Sequence, residues 1–337
     1  MKIAIISKLW EPTSPLSTGG TGAVVGILVE ELVKRGHEVT LFATGDSKTK
    51  AKLVSVKDRQ WNNDYSEPIE YLNIANAFSE WKNFDIIDCH VEQKACFFAD
   101  LVKTPTIVNI SYGEFSPDDL LVLKRYKHLN YLSISNGLQN FLQFLNWVGN
   151  IYHGIDTTLF PFQEEKGDYL LFLGRMSPQK GPHIAIEIAK HLGKKLILAG
   201  KTVPEDKEYL DRFVFPFIDN KQIIYKGVAN FEEKISLYKN ALAFIHPIQY
   251  FEAFGLTIIE SLACGTPVIS FDNGAPREII EDGKTGFLVK NKEEMISAIQ
   301  KIDQIKRFDC RQSVENKFSS KLMVDEYEKL YKSLIDK

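Results

Sequence analysis

Gln163-Glu164-Glu165-Lys166-Gly167-Asp168 is a polar run, and Tyr169-Leu170-Leu171-Phe172-Leu173-Gly174-Arg175 follows it directly. Apolar residues without polar alternation, as at 169–173, read as a strand buried on both faces. The chain has by then completed one series of such segments, at residues 2–7, 38–43, 84–90, 106–111, 131–135 and 148–153. A second series runs through 169–173, 195–199, 222–225, 243–246, 267–270 and 286–289. Longer amphipathic stretches separate the segments throughout. Strands of this kind with helices between them imply parallel sheets covered on both faces. The break near residue 160 therefore predicts an α/β protein of two Rossmann-like domains, 1–160 and 161–315, with a last segment at 316–337. Open α/β sheets bind ligands at the carboxyl ends of their strands. Two such sheets facing one another would place ligand and chemistry in a central cleft.

Helix punctuation agrees. Residues 23–35 carry apolar side chains at helical spacing, and Gly36 follows as a C-cap. The tail, 318–334, reads as an amphipathic helix with Leu322, Tyr327, Leu330, Tyr331 and Leu334 on its apolar side.

Composition narrows the class. The 337 residues suit two domains, and 44% hydrophobic with 25% charged residues is ordinary globular usage. Forty-four acidic against 41 basic side chains leave a net charge of -3, which supplies no global field for nucleic acid. Cys89, Cys96, Cys264 and Cys310 are scattered without a paired motif, which suits a reducing compartment. No apolar run approaches the roughly 18 residues of a membrane span. The short run at 3–6 reads as a first strand rather than a signal peptide, so the expected location is cytoplasmic.

Three stretches carry candidate chemistry. Gly19-Gly20-Thr21-Gly22 stands immediately before the first expected helix. Glycines admit close backbone approach, and a helix N-terminus offers N–H groups to phosphate. Gly20, Gly22 and Gly26 also read as GxGxxxG, but about a dozen residues separate them from the first strand, whereas a dinucleotide fingerprint turns directly after it. Hydride transfer is disfavoured on that ground. Arg175 and Lys180 fall in the loop after the strand at 169–173, beside the helix from Pro182. A forked and a point cation at a strand end suit a diphosphate; two solvated loop charges are the competing reading.

The third stretch runs from His246 through Glu252-Ala253-Phe254-Gly255-Leu256 to Glu260. Glu252 lies on a loop where the amides of Ala253, Phe254 and Gly255 follow. A carboxylate with backbone donors suits a hydroxyl-rich sugar ring. Glu260, expected about two helical turns further in, sits among Ile258, Ile259 and Leu262, where an unpaired carboxylate is costly. A ribose diol would suit it.

These residues resemble the family 4 glycosyltransferases of the GT-B fold. Glu252 and Glu260 match that family's E-x7-E motif, Gly174-Arg175 with Lys180-Gly181 its diphosphate motif, and Gly19 to Gly22 its glycine loop. The resemblance implies retaining, metal-independent transfer from a nucleotide-sugar donor to an acceptor hydroxyl, with no cofactor. It also implies Arg175 and Lys180 on the diphosphate, Glu252 on the donor sugar, Glu260 on the ribose, and a terminal helix crossing back to the first domain. Gly20, Gly22, Val228 and the segment Ala253 to Leu256 complete the implied donor site. Asp88-Cys89-His90 stands where members often have HxH, leaving His90 to face the reacting sugar, and His153 replaces the Asn of the usual hinge. The acceptor would be a sugar or a lipid-linked acceptor, the latter compatible with peripheral membrane contact. A nucleotide-sugar epimerase, a phosphorylase and a non-catalytic sugar-nucleotide-binding module use the same fold and remain open at this point.

Overall fold

The computed structural model describes residues 1–61 and 64–336. Asn62, Asn63 and Lys337, which the expected first domain and last segment include, lie outside the described residues. The chain divides into two compact units, Met1–Ile155 with Ser320–Lys337, and Asp156–Ser319.

The first unit is built on a seven-stranded parallel sheet. Its strands are β1 (Lys2–Ile6), β2 (Glu38–Phe42), β3 (Lys52–Val54), β4 (Ile86–Cys89), β5 (Thr106–Ile110), β6 (Asn130–Ser133) and β7 (Trp147–Asn150). They lie in the order β3-β2-β1-β4-β5-β6-β7. Ile3 pairs with Val39 on one side and Ile86 on the other, and all three are buried. β3 was not expected: it is three residues long and only partly buried, so it lacks the apolar run that marks the others. The order of strands reverses between β1 and β4, which opens a crevice beyond their carboxyl ends.

The helix Gly20–Lys34 begins three residues earlier than its apolar spacing predicts, so the glycines form its first turn rather than a loop before it. The terminal helix Ser320–Ile335 packs within this unit. Its buried residues are Met323, Val324, Tyr327, Tyr331 and Leu334, whereas the expected Leu322 is 39% exposed. Arg35 reaches both Asp325 (2.7 Å) and Glu328 (2.8 Å), and His37 meets Glu328 at 2.7 Å.

The second unit repeats the plan with β8 (Tyr169–Leu173), β9 (Leu196–Ala199), β10 (Ile223–Tyr225), β11 (Ala241–His246), β12 (Val268–Phe271) and β13 (Gly286–Val289). The order is β10-β9-β8-β11-β12-β13, all parallel, with the reversal between β8 and β11. Arg307 is buried in this unit, and its guanidinium donates to the carbonyls of Gln163, Lys239 and Ala241 at 2.8–2.9 Å and to Thr266 Oγ1 at 2.6 Å. A buried cation is tolerable once its donors are satisfied. All four cysteines are buried free thiols.

Candidate functional site

In the second unit β8 and β11 are neighbours, so the loops after them meet at the reversal point of the sheet. The first loop runs from Arg175 through a short 3-10 turn, Pro178–Lys180, into the helix Pro182–Leu192. Gly181 has φ +74°, and a Cβ there would stand 2.4 Å from the Pro247 carbonyl oxygen. The Gln249 amide donates to the Gln179 carbonyl at 2.8 Å, and the Gln249 side chain to the Pro178 carbonyl at 2.8 Å. The loops are thus fastened together along their length.

This fastening brings Lys180 Nζ to 2.7 Å from Glu252 Oε2. His246 Nε2, from the end of β11, stands 3.5 Å from the same oxygen, and its Nδ1 lies 3.0 Å from Ser270 Oγ on β12. Burial alone would raise the Glu252 pKa, but the Lys180 charge and the His246 contact outweigh it and bring it to about 2. Burial likewise works against the Lys180 ammonium, yet Glu252 holds its pKa above the ordinary value. His246 is pushed down by burial, with Glu252 opposing. Near neutrality the cluster is a fixed cation against a fixed anion, with a neutral imidazole behind them.

A second clamp holds Glu252 from the other side. Its amide donates to the Asn273 carbonyl (3.1 Å), and its carbonyl accepts from the Ala275 amide (2.9 Å). Gly274 between them has φ +87°, and a Cβ there would lie 2.4 Å from the Glu252 carbonyl oxygen. Ala253 and Phe254 anchor the loop by burying their side chains, and Gly255 caps the helix Leu256–Ala263. That helix begins at Leu256, directly after Gly255, and Glu260 lies about one turn from its start.

The remaining donor-side candidates are placed differently. Arg175 is exposed at the β8 end and makes no ion pair among the described residues. Val228, after β10, is 61% exposed. Glu260 is buried, with Oε1 on Lys234 Nζ at 2.5 Å and Oε2 accepting from Tyr238 OH at 3.0 Å. Both partners lie on the helix Phe231–Lys239. The carboxylate that looked costly by itself is therefore paired within the protein.

In the first unit the Gly22 amide donates to Glu11 Oε1 at 2.6 Å. A Cβ on Gly19 would fall 1.0 Å from Glu11 Oε2, and one on Gly22 would fall 2.7 Å from the Pro12 carbonyl oxygen. Gly20 lies in the same first turn. These glycines let the loop around Glu11 press onto the helix, and a carboxylate lies over the N-terminus where phosphate was expected.

His90 follows β4 and is buried, its Nε2 3.2 Å from Asp88 Oδ2. Asp88 also accepts from Asn109 Nδ2 and Tyr331 OH, and Tyr327 OH donates to Asn109 Oδ1 at 3.1 Å. Asp88 thus ties His90 on β4's end to Asn109 on β5 and to Tyr331 on the terminal helix. Burial and the neighbouring His90 hold the His153 pKa down at about 3.

Sequence reading missed the partners rather than the motif residues. Lys234, Tyr238 and Tyr331 share no periodicity with the groups they touch. Asp88, two residues before His90, and His246, six before Glu252, stood within the quoted stretches, but their contacts did not follow from the spacing.

Two family models match the chain. Glycosyltransferase Family 4 covers residues 18–159 and Glycosyl transferases group 1 covers residues 155–317. An uncharacterized glycosyltransferase of Methanocaldococcus jannaschii is 25% identical, across 90% of this chain and 89% of that protein. A probable sucrose-phosphate synthase of Thermosipho melanesiensis is 28% identical over 53% of this chain and 44% of its own length. Among solved structures, sucrose-phosphate synthase from Thermosynechococcus elongatus superposes with a TM-score of 0.83 at 17% identity, covering 99% of each chain. Anabaena HepE in complex with UDP and glucose gives 0.77 at 17% identity, covering 99% of this chain and 100% of that one. Both likenesses establish the fold, which is GT-B. The chain belongs to the family 4 type of glycosyltransferases and is an enzyme that transfers a glycosyl group. Among the described residues no helix is long and apolar enough to cross a membrane.

Proposed function

We propose that the second unit binds a nucleoside-diphosphate sugar, and that the enzyme transfers the sugar to an acceptor hydroxyl with retention of anomeric configuration and without a metal ion. One observation carries this reading: Lys180 and Glu252 meet at the sheet's reversal point, a cation and a carboxylate 2.7 Å apart and held from both sides. Lys180 and the exposed Arg175 supply positive charge to the diphosphate, the part a divalent ion would otherwise take. As the sugar–phosphate bond breaks, negative charge grows on the leaving phosphate. Cations already in position stabilise that state more than the ground state. Glu252, ionised and clamped, accepts hydrogen bonds from the sugar hydroxyls. The acceptor hydroxyl attacks from the face the phosphate leaves, and its proton passes to that phosphate. The complexes of HepE with UDP and with UDP-glucose support the class of donor.

The test uses the full chain with UDP-, GDP- and ADP-glucose. Thermal shifts identify the nucleotide by mass action, and proton NMR of the product reads the anomeric configuration. An α-linked product from an α-linked donor, formed undiminished after chelation, is the expected result. An inverted product, or loss of turnover in chelator, would overturn the reading.

A further inference from the structure

The second unit carries a cavity of about 380 Å³ whose lining includes neither member of the Lys180–Glu252 pair. It lies along one face of the helix Pro182–Leu192, where His183, Ile186, Glu187, Lys190 and His191 recur at helical spacing. Phe213 and Phe217, from the segment before β10, and Lys292 and Ile296, from the helix Lys292–Gln300, complete the lining. Between His183 and His191 the helix advances about 12 Å, at roughly 1.5 Å per residue. The cavity is therefore a furrow, long for its volume. A partner helix, roughly 10 Å across, is too thick for it, and an extended chain fits.

The furrow is apolar along its course and changes character between its ends. Phe213 and Phe217 are 43% and 39% exposed, and Ile186 and Ile296 join them on the lining. Apolar surface left open in this way gains from being covered. At the start of the helix the lining is aromatic: His183 Nδ1 lies 2.7 Å from Tyr209 OH, and its ring packs against Phe213 with centroids 6.4 Å apart. At the other end stand Lys190 and His191. Glu187 is the one acid on the lining, and Lys292 Nζ already meets it at 2.9 Å. Lys190 makes no ion pair among the described residues; its Nζ lies 4.6 Å from the centroid of the Phe217 ring. An uncompensated cation thus stands at the edge of an apolar wall, its charge beside a ring face that an apolar chain can also touch. Apolar length with positive charge at one end is complementary to an amphiphile with an acidic head.

We propose that this furrow is a binding site for a single acyl chain bearing an anionic head, with the chain over Ile186, Phe213 and Phe217 and the head on Lys190. The test uses decanoate, whose extended chain is of the furrow's length, beside decanol and decyltrimethylammonium. Each is titrated into the full chain below its micelle concentration and followed by the methyl NMR signals of Ile186 and Ile296. Decanoate shifts both signals saturably and binds about tenfold or more tightly than the cationic amphiphile. Lys190→Gln weakens decanoate about tenfold and leaves decanol unchanged, Lys190→Arg retains decanoate, and Phe217→Ser weakens decanoate and decanol alike. Lys190 and Phe217 are both exposed, so their replacement leaves the fold intact. Absence of saturable decanoate binding, equal affinity for the cation, or wild-type affinity in both Lys190→Gln and Phe217→Ser overturns the proposal. Capture of the chain by phosphatidylglycerol vesicles, with decanoate moving neither methyl signal, overturns it in favour of a bilayer surface.

Discussion

Replacing Glu252 by Gln keeps its shape and removes the charge that holds Lys180. Glu252 has a pKa of about 2 in the fold against an ordinary value of 4.5. At about 1.4 kcal/mol per unit this corresponds to roughly 3 kcal/mol of stability at pH 7. Because the folded pKa is the lower one, the contribution is complete above the unfolded value and fades as pH falls toward 2. From the same two values, about 1 kcal/mol is gone by pH 4 and about 2 kcal/mol by pH 3. Wild type and Glu252→Gln should therefore differ by roughly 3 kcal/mol at pH 7 and converge in acid. The four tryptophans (Trp10, Trp61, Trp81 and Trp147) all lie in the first unit, so fluorescence does not follow the second. Denaturant-dependent hydrogen exchange of amides in β8 and β11 reports on it directly. A gap of the same size at pH 7 and pH 3 would refute the claim that Lys180 and His246 depress this carboxylate.

Arg175→Ala should leave stability within about 0.5 kcal/mol, because the side chain is exposed. It should lower turnover about 10²–10³-fold if it grips the leaving diphosphate, and near-normal steady-state rates would remove it from that role. Gly181→Ala forces a Cβ toward the Pro247 carbonyl in a left-handed conformation. A loss of about 1–3 kcal/mol is expected, with a fall in turnover as Lys180 is displaced, and a melt like wild type would contradict the fastening of the two loops. Tyr331→Phe removes one donor from Asp88 and should destabilise the first unit by about 1–2 kcal/mol. It should also lower kcat without raising the donor KM; an unchanged kcat would mean that the Asp88 brace on His90 is not used in turnover.

The two parallel sheets were legible because almost every strand is apolar on both faces, a pattern that only buried parallel strands need. β3 was not, since Lys52–Val54 is short and only partly buried. The helix start slipped because glycine is a poor helix former, and nothing in Gly20-Thr21-Gly22 signals a first turn. On the terminal helix Leu322 looked apolar enough for the core, but Met323 and Val324 take the buried face. Arg175, Lys180, Glu252 and Glu260 could be picked out because each stands at a strand end or helix start with a recognisable spacing. What holds them could not. Lys234 and Tyr238 reach Glu260 from a helix more than twenty residues upstream, and Tyr331 reaches Asp88 across 243 positions. Contacts of that kind are created by folding and leave no periodic trace.

Phosphorus NMR of a titration with UDP-glucose, repeated with GDP- and ADP-glucose, observes the diphosphate itself. The account predicts that for one of the three donors the two phosphorus signals shift on binding to wild type, and that the shift is lost or sharply reduced in both Arg175→Ala and Lys180→Ala. Phosphorus signals that move equally in wild type and in both variants would contradict it.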